Sequence, residues 1–176
     1  MRNTLFLLLT VLFFGSCNSA APKKQTSVLQ YFDLKGFMDK EIRRLKQAGP
    51  EIDKTVMVNN TEEHKKFRIA DWQKELSAFS DADINKPAWE GLFSRHKTAV
   101  TETYTSENDK VPVKSLTIQY RNTRVYKIQV LISNSNSLYT SNDTLSYFPD
   151  SLYQIRKTQH IRLLNAKNYR ITGKFH

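Results

Sequence analysis

From Thr98 to the end of the chain, residues destined for one face recur with a period of two, and turn-forming stretches cut the pattern into short pieces. Val100, Glu102 and Tyr104 open the series, followed by Leu116, Ile118 and Tyr120, and then by Tyr126, Ile128, Val130 and Ile132. Leu145 and Tyr147 come next, then Tyr153, Ile155, Ile161 and Leu163, and the series closes with Tyr169, Ile171 and Phe175. A period of two places alternate side chains on opposite faces of a strand. The separators "SENDKVP", "RNTR", "SNSNS", "SNDT", "FPDS" and "LNAKN" are rich in turn residues. None is long enough to hold a crossover helix, so neighbouring strands must run antiparallel. The pattern predicts a meander of about six strands with one apolar face that something else has to cover.

The cover lies upstream. Within 28–48, Leu34, Phe37, Met38, Ile42 and Leu45 fall at helical spacing, with charged residues opposite. Gly49 and Pro50 then supply a C-cap and a breaker. "KTVMVNNTEEHKKFRI" reads as two strands around a tight Asn59-Asn60 turn. Its second arm is poor in apolar residues, which suits an edge strand or a longer loop. In "ADWQKELSAFS", Trp72, Leu76 and Phe79 mark a short amphipathic helix, with Asp71 at its start. Ile84 and Trp89 flank Pro87 in a helical turn. The expected fold is α+β: N-terminal amphipathic helices packed on one face of a roughly six-stranded antiparallel meander.

The chain opens with "MRNTLFLLLTVLFFGSC": a positive start, an apolar run over 5–14, two small residues and the only cysteine. A run of ten residues, apolar but for Thr10, is too short to cross a bilayer and fits a secretory signal. "FFGSC" resembles the bacterial lipobox, which implies cleavage before Cys17 and diacylation of its thiol. Cleavage after Ala21 would place Pro22 first, a poor site. A lone cysteine also rules out an intramolecular disulfide. The reading assigns 1–16 to a lipoprotein signal peptide and 17–27 to the lipidated cysteine and a flexible tether, "NSAAPKKQTS" being small and polar. Residues 28–176 then form one domain, in keeping with about 160 residues after processing.

"ADWQKELSAFSDADINKPAW", the aromatic meander and the ending "YRITGKF" resemble a group of uncharacterised lipoproteins of Bacteroidetes-type bacteria. That resemblance implies an outer-membrane anchor and brings no activity with it. Surface-exported members of such bacteria often carry acids just after the lipidated cysteine. Asn18, Ser19 and Ala20 do not match, which implies the periplasmic side.

Motifs for chemistry are missing from the sequence. "DADIN" at 81–85 begins like a calcium loop, but Lys86 stands where glycine belongs and Leu92 where glutamate belongs. His64, His96, His160 and His176 show no ligand spacing, there is no G-x-S-x-G, and five glycines form no phosphate-cradling loop. The expectation is a non-enzyme without metal or cofactor. Its 27 basic residues include Arg2, and the remainder outnumber the 17 acidic ones by nine. For an exported lipoprotein this favours anionic headgroups or an acidic protein partner over nucleic acid. In "YQIRKTQHIRLL" and "YRITGKF", Arg156, His160 and Arg162, then Arg170 and Lys174, have the parity opposite to the apolar set. If the last two strands pair through "LNAKN", these cations share the outer surface. "DTL" and "DSL" resemble the short O-glycosylation pattern of Bacteroidetes-type exported proteins, which implies sugar on Thr144 and Ser151, both expected in turns. Turn closure by Asp with Ser or Thr explains the same triplets. The expected role is a membrane-anchored, non-catalytic binding domain. The alternative is a carrier holding an apolar ligand between curved sheet and helices.

Overall fold

The computed structural model describes residues 29–176. The signal segment, Cys17 and the tether lie outside the described residues. Helix α1 spans Leu34–Ala48, with Asp33 capping it by accepting a hydrogen bond from Gly36 N. It ends where the sequence indicates: Gly49 takes the left-handed conformation and returns its N–H to the Leu45 carbonyl. Leu34, Met38, Ile42 and Leu45 are buried along one stripe.

The hairpin β1 (Glu51–Val58) and β2 (Thr61–Arg68) turns at Asn59-Asn60, and Asn59 adopts positive φ. Two short helices follow, α2 (Trp72–Glu75) and α3 (Ser77–Asp81), where the spacing predicted one. The Asp71 carboxylate caps α2 by accepting from Lys74 N. Pro87–Trp89 forms a single 3-10 turn. The remaining strands are β3 (Ser94–Lys97), β4 (Thr101–Thr105), β5 (Val113–Arg121), β6 (Arg124–Ser135), β7 (Tyr139–Phe148), β8 (Leu152–Ile161) and β9 (Lys167–Phe175).

All nine strands belong to one antiparallel sheet in the order β2-β1-β9-β8-β7-β6-β5-β4-β3. The expectation of about six strands is corrected on two counts. The N-terminal hairpin joins the C-terminal strand, Val56 opposite Ile171 and Ile52 opposite Phe175, so the early strands extend the meander. β3 was not anticipated, because Ser-Arg-His-Lys carries no apolar alternation and lies exposed on the edge.

Since β2 and β3 occupy opposite edges, residues 69–93 must cross the whole sheet, about 38 Å at ~4.8 Å per strand spacing. The crossing is pinned by aromatic rings in sequence. Trp72 meets Phe175 on β9 edge-on at 6.0 Å, Phe79 meets Tyr147 on β7 at 5.8 Å, and Phe93 lies 5.4 Å from Tyr31, which meets Tyr104 on β4 at 5.7 Å. The sheet supplies Ile52, Leu116, Ile118, Ile128, Val130, Leu145, Tyr147 and Tyr153 to the same core. The helices therefore cover one face of the sheet, through a crossing strap as well as α1.

Three residues depart from the expected parity or position. Tyr126 was expected inward, but a register irregularity between Gln119 and Tyr120 sets Val125 opposite Tyr120. Tyr126 is left exposed beside Phe148, with the Arg121 guanidinium over its ring at 4.0 Å. Val100 sits in the β3–β4 turn and is exposed. Leu163 lies beyond the end of β8 in a turn and is 96% exposed.

Candidate interaction surface

β8 and β9 pair directly, with Arg156 opposite Arg170. Directly opposed residues have Cβ atoms about 5 Å apart, so two guanidinium-bearing side chains rise together from the outer face. Arg170 faces Met57 on its other side and Arg156 faces Thr144, so no carboxylate neighbours either one in register. Lys174 lies opposite Leu152, about 13 Å further along the strands, and Asp53 sits beside it on β1. His160 pairs with Thr140, beyond the last β8–β9 pair at Gln159–Lys167. Arg162 is past the end of β8, in the turn, and its N–H donates to the Leu138 carbonyl at 2.9 Å. The structure thus brings Arg156 and Arg170 together. It leaves Lys174 toward one end of the sheet and His160 and Arg162 at the other, so the five do not form one cluster.

Ser151 is exposed in the β7–β8 turn, as its sequence context indicates. Thr144 is not in a turn. It sits within β7, half-buried on the outer face between Leu131 and Arg156. "SNDT" fails as a turn because its polar residues find partners in the strand: Ser141 Oγ donates to Asp143 Oδ1 at 2.6 Å, and Lys157 Nζ reaches Asp143 Oδ2 at 3.3 Å. A satisfied polar pair permits β7 to continue where propensity alone would stop it.

Three glutamates lie between cover and sheet or within the sheet, each closed by a tyrosine hydroxyl and a cation. Glu102 accepts from Tyr104 at 2.6 Å and Tyr120 at 3.1 Å, and Arg95 lies 2.5 Å away. Glu75 accepts from Tyr153 and pairs with Lys54 at 2.6 Å. Glu41 accepts from Tyr147 at 2.8 Å and from Arg44 at 2.8 Å, and Arg44 continues to the Pro149 carbonyl at 2.5 Å. Glu75 holds the strap to the sheet and Glu41 holds α1 to it, whereas Glu102 ties β3, β4 and β5 to one another. A signal for the first existed in "ETY", where residues two apart share a face; the partners from other elements carried none.

The Glu102 network makes stability depend on pH at both ends. Burial pushes the Glu102 carboxyl up, but the hydrogen bonds from Tyr104, Tyr120 and Arg95 outweigh it and hold it below its ordinary 4.5. A depressed carboxyl contributes stability above its unfolded value and loses it as pH falls through the folded one. Burial and the Glu102 contacts push both Tyr104 and Tyr120 up to about 12 from 10.0. Raised phenols contribute in the opposite sense, fully below pH 10 and progressively less toward 12. The melting temperature is expected to hold across the neutral range, fall below pH 4.5 and fall again above pH 10. Thermal scans against pH check this; in Tyr104→Phe/Tyr120→Phe both falls should shrink.

Among the described residues, no group of three or more His, Cys, Asp or Glu is placed to hold a metal ion. His64 Nδ1 instead pairs with Asp53 at 2.9 Å on the exposed hairpin. Comparison with known proteins found no matching family model, no matching curated protein and no matching solved structure.

Proposed function

We propose that this protein is a lipid-anchored, non-catalytic interaction domain, held by Cys17 on the periplasmic side of an outer membrane, in a group of Bacteroidetes-type lipoproteins. The observation that carries the reading is "FFGSC" after a short apolar run with a positive start. Each buried methylene contributes about 0.8 kcal/mol and a single chain binds only marginally, so diacylation of one cysteine suffices to retain the domain. The paired Arg156 and Arg170, facing no carboxylate in register, favour an anionic headgroup or acidic protein as the partner. The interior supports a binding rather than a catalytic role, since Glu41, Glu75 and Glu102 are each committed to a tyrosine and a cation. The carrier reading gains no supporting observation: Phe37, Phe79 and Phe175 pack around Tyr147 where helix and strap meet the sheet.

The test is Cys17→Ala in the full chain, followed by detergent-phase partitioning and membrane fractionation. The variant should leave the detergent phase and be found as precursor or in the soluble fraction. Partitioning equal to wild type overturns the lipid anchor.

A further inference from the structure

Three hairpin turns lie side by side at one end of the sheet: β1–β2, β8–β9 and β6–β7. They are fastened to each other. Asn59 N donates to Asn168 O at 2.7 Å, Asn168 N to Asn59 Oδ1 at 3.0 Å, and Arg162 N to the Leu138 carbonyl at 2.9 Å. This end concentrates the exposed apolar side chains: Leu163 is 96% exposed, Leu138 68% and Leu164 58%, with Tyr139 and Val58 beside them. Scattered exposed apolar residues need no account, but adjoining leucines on neighbouring turns form a patch that water disfavours.

The turn is also built against local preference. Leu163 adopts a φ of 69°, the left-handed region in which a side chain with a Cβ is disfavoured, although Asn165 follows only two residues later. Strain of this kind persists where the surrounding structure imposes it and gathers at binding sites. Here Leu164 N donates to the Ile161 carbonyl at 3.0 Å, closing the turn that holds Leu163 outward.

The charge nearest the leucines is positive, the acids at this end, Glu62 and Glu63 on β2 and Glu107 and Asp109 between β4 and β5, lying to either side toward the sheet edges. Residues 158–170 contain Arg162, Lys167, Arg170 and His160 and no Asp or Glu, and residues 136–142 carry no charge. Among the described residues, Arg162, Lys167 and Arg170 form no ion pair within 4.0 Å. An apolar tip with free cations beside it on the β8–β9 turn matches an anionic lipid leaflet, which offers hydrocarbon below and phosphate at the surface. A uniformly acidic surface would satisfy the cations and leave the leucines in water.

We propose that this end of the sheet inserts into an anionic leaflet, with Leu138, Leu163 and Leu164 at the acyl boundary and Arg162 and Lys167 against headgroup phosphates. The inference deepens the lipid-anchored reading and rests on it only for bringing the domain to a membrane. The full chain is purified as Leu164→Cys and, separately, as Val100→Cys, which lies at the opposite end of the sheet and is also exposed. Each is labelled with an environment-sensitive fluorophore after its folding is checked by circular dichroism. The proteins are reconstituted with vesicles of phosphatidylglycerol and phosphatidylethanolamine, or of phosphatidylcholine alone, with and without lipid-borne nitroxide quencher. An acylated Cys17 takes no dye, so one dye per chain together with an intact mass that includes Cys17 and its acyl groups reports the anchor. Two dyes would overturn the anchor but leave the tip decidable after subtraction of labelled wild type.

In anionic vesicles the Leu164 probe should shift to the blue and be quenched by the lipid nitroxide, while the Val100 probe keeps its aqueous spectrum. Arg162→Glu/Lys167→Glu should abolish the shift. Insertion is overturned if the Leu164 probe stays as open to aqueous iodide as the Val100 probe. It is equally overturned if that probe is shielded without responding to lipid quencher, the result expected of a protein partner or a second copy. Equal insertion into phosphatidylcholine overturns the anionic leaflet as the target.

Discussion

Tyr147→Ala is expected to destabilise the domain by about 3–5 kcal/mol, the range for deleting a large buried aromatic side chain. Tyr147 is completely buried on β7, between Ile128 of β6 and Tyr153 of β8. Its ring is the meeting point of the layers: Phe37 of α1 lies 6.4 Å away, Phe79 of α3 5.8 Å and Phe175 of β9 6.3 Å. Those rings belong to three elements that cannot all close on the space, so a cavity remains. The hydroxyl adds a second loss, because Glu41 would keep Arg44 but lose its donor from the sheet. Tyr147→Phe separates the two contributions and should cost about 1.5–3 kcal/mol, the value of a hydrogen bond to a charged group. Urea unfolding at pH 7 measures both. An alanine variant within 1 kcal/mol of wild type would show that the ring does not join the layers.

Gly173→Ala is expected to cost about 3 kcal/mol, at the upper end of the range for overpacking. Gly173 lies directly opposite Tyr153, and a Cβ there would fall within the tyrosine ring, against Cε1, Cζ and the hydroxyl. Neither side can retreat. β9 is paired on both edges, with β1 and with β8. The Tyr153 ring is buried against Phe175, and its hydroxyl is held by Glu75, itself tied to Lys54. The distinguishing measurement is a double-mutant cycle with Tyr153→Ala. Removing the ring removes the clash, so the double variant should be less destabilised than the sum of the singles by about 1–3 kcal/mol. Additive losses would place the cost of Gly173→Ala elsewhere.

The two substitutions also mark how far local pattern reaches. Period-two alternation is a property of a strand and the face it buries, and it locates β5 to β9 with their inward residues Ile118, Val130, Leu145 and Tyr153. Helix stops and caps are chemistry within four residues, which is why Gly49 and Asp71 do what their positions indicate. The Asn59-Asn60 turn is legible for the same reason, since positive φ is tolerated there. Outward parity likewise places Arg156 and Arg170 on one face.

Tertiary structure decided what depends on a partner distant in sequence. Nothing near β1 states that its free edge will meet β9, yet that pairing turns a meander and a hairpin into one nine-stranded sheet. A register irregularity sends Tyr126 outward although its parity points in, and Ser141, Asp143 and Lys157 together keep Thr144 within a strand. Leu163 shares the parity of Ile155, but β8 ends at Ile161 and the turn back to β9 carries the leucine into solvent. The sequence by itself determined which residues alternate, where the helix α1 ends and where the only cysteine stands. The fold alone decided which edges join, which glutamates are closed by tyrosines, and which leucines remain outside. A repeating pattern records burial along one element, whereas pairing and the end of an element depend on contacts that only the assembled sheet supplies.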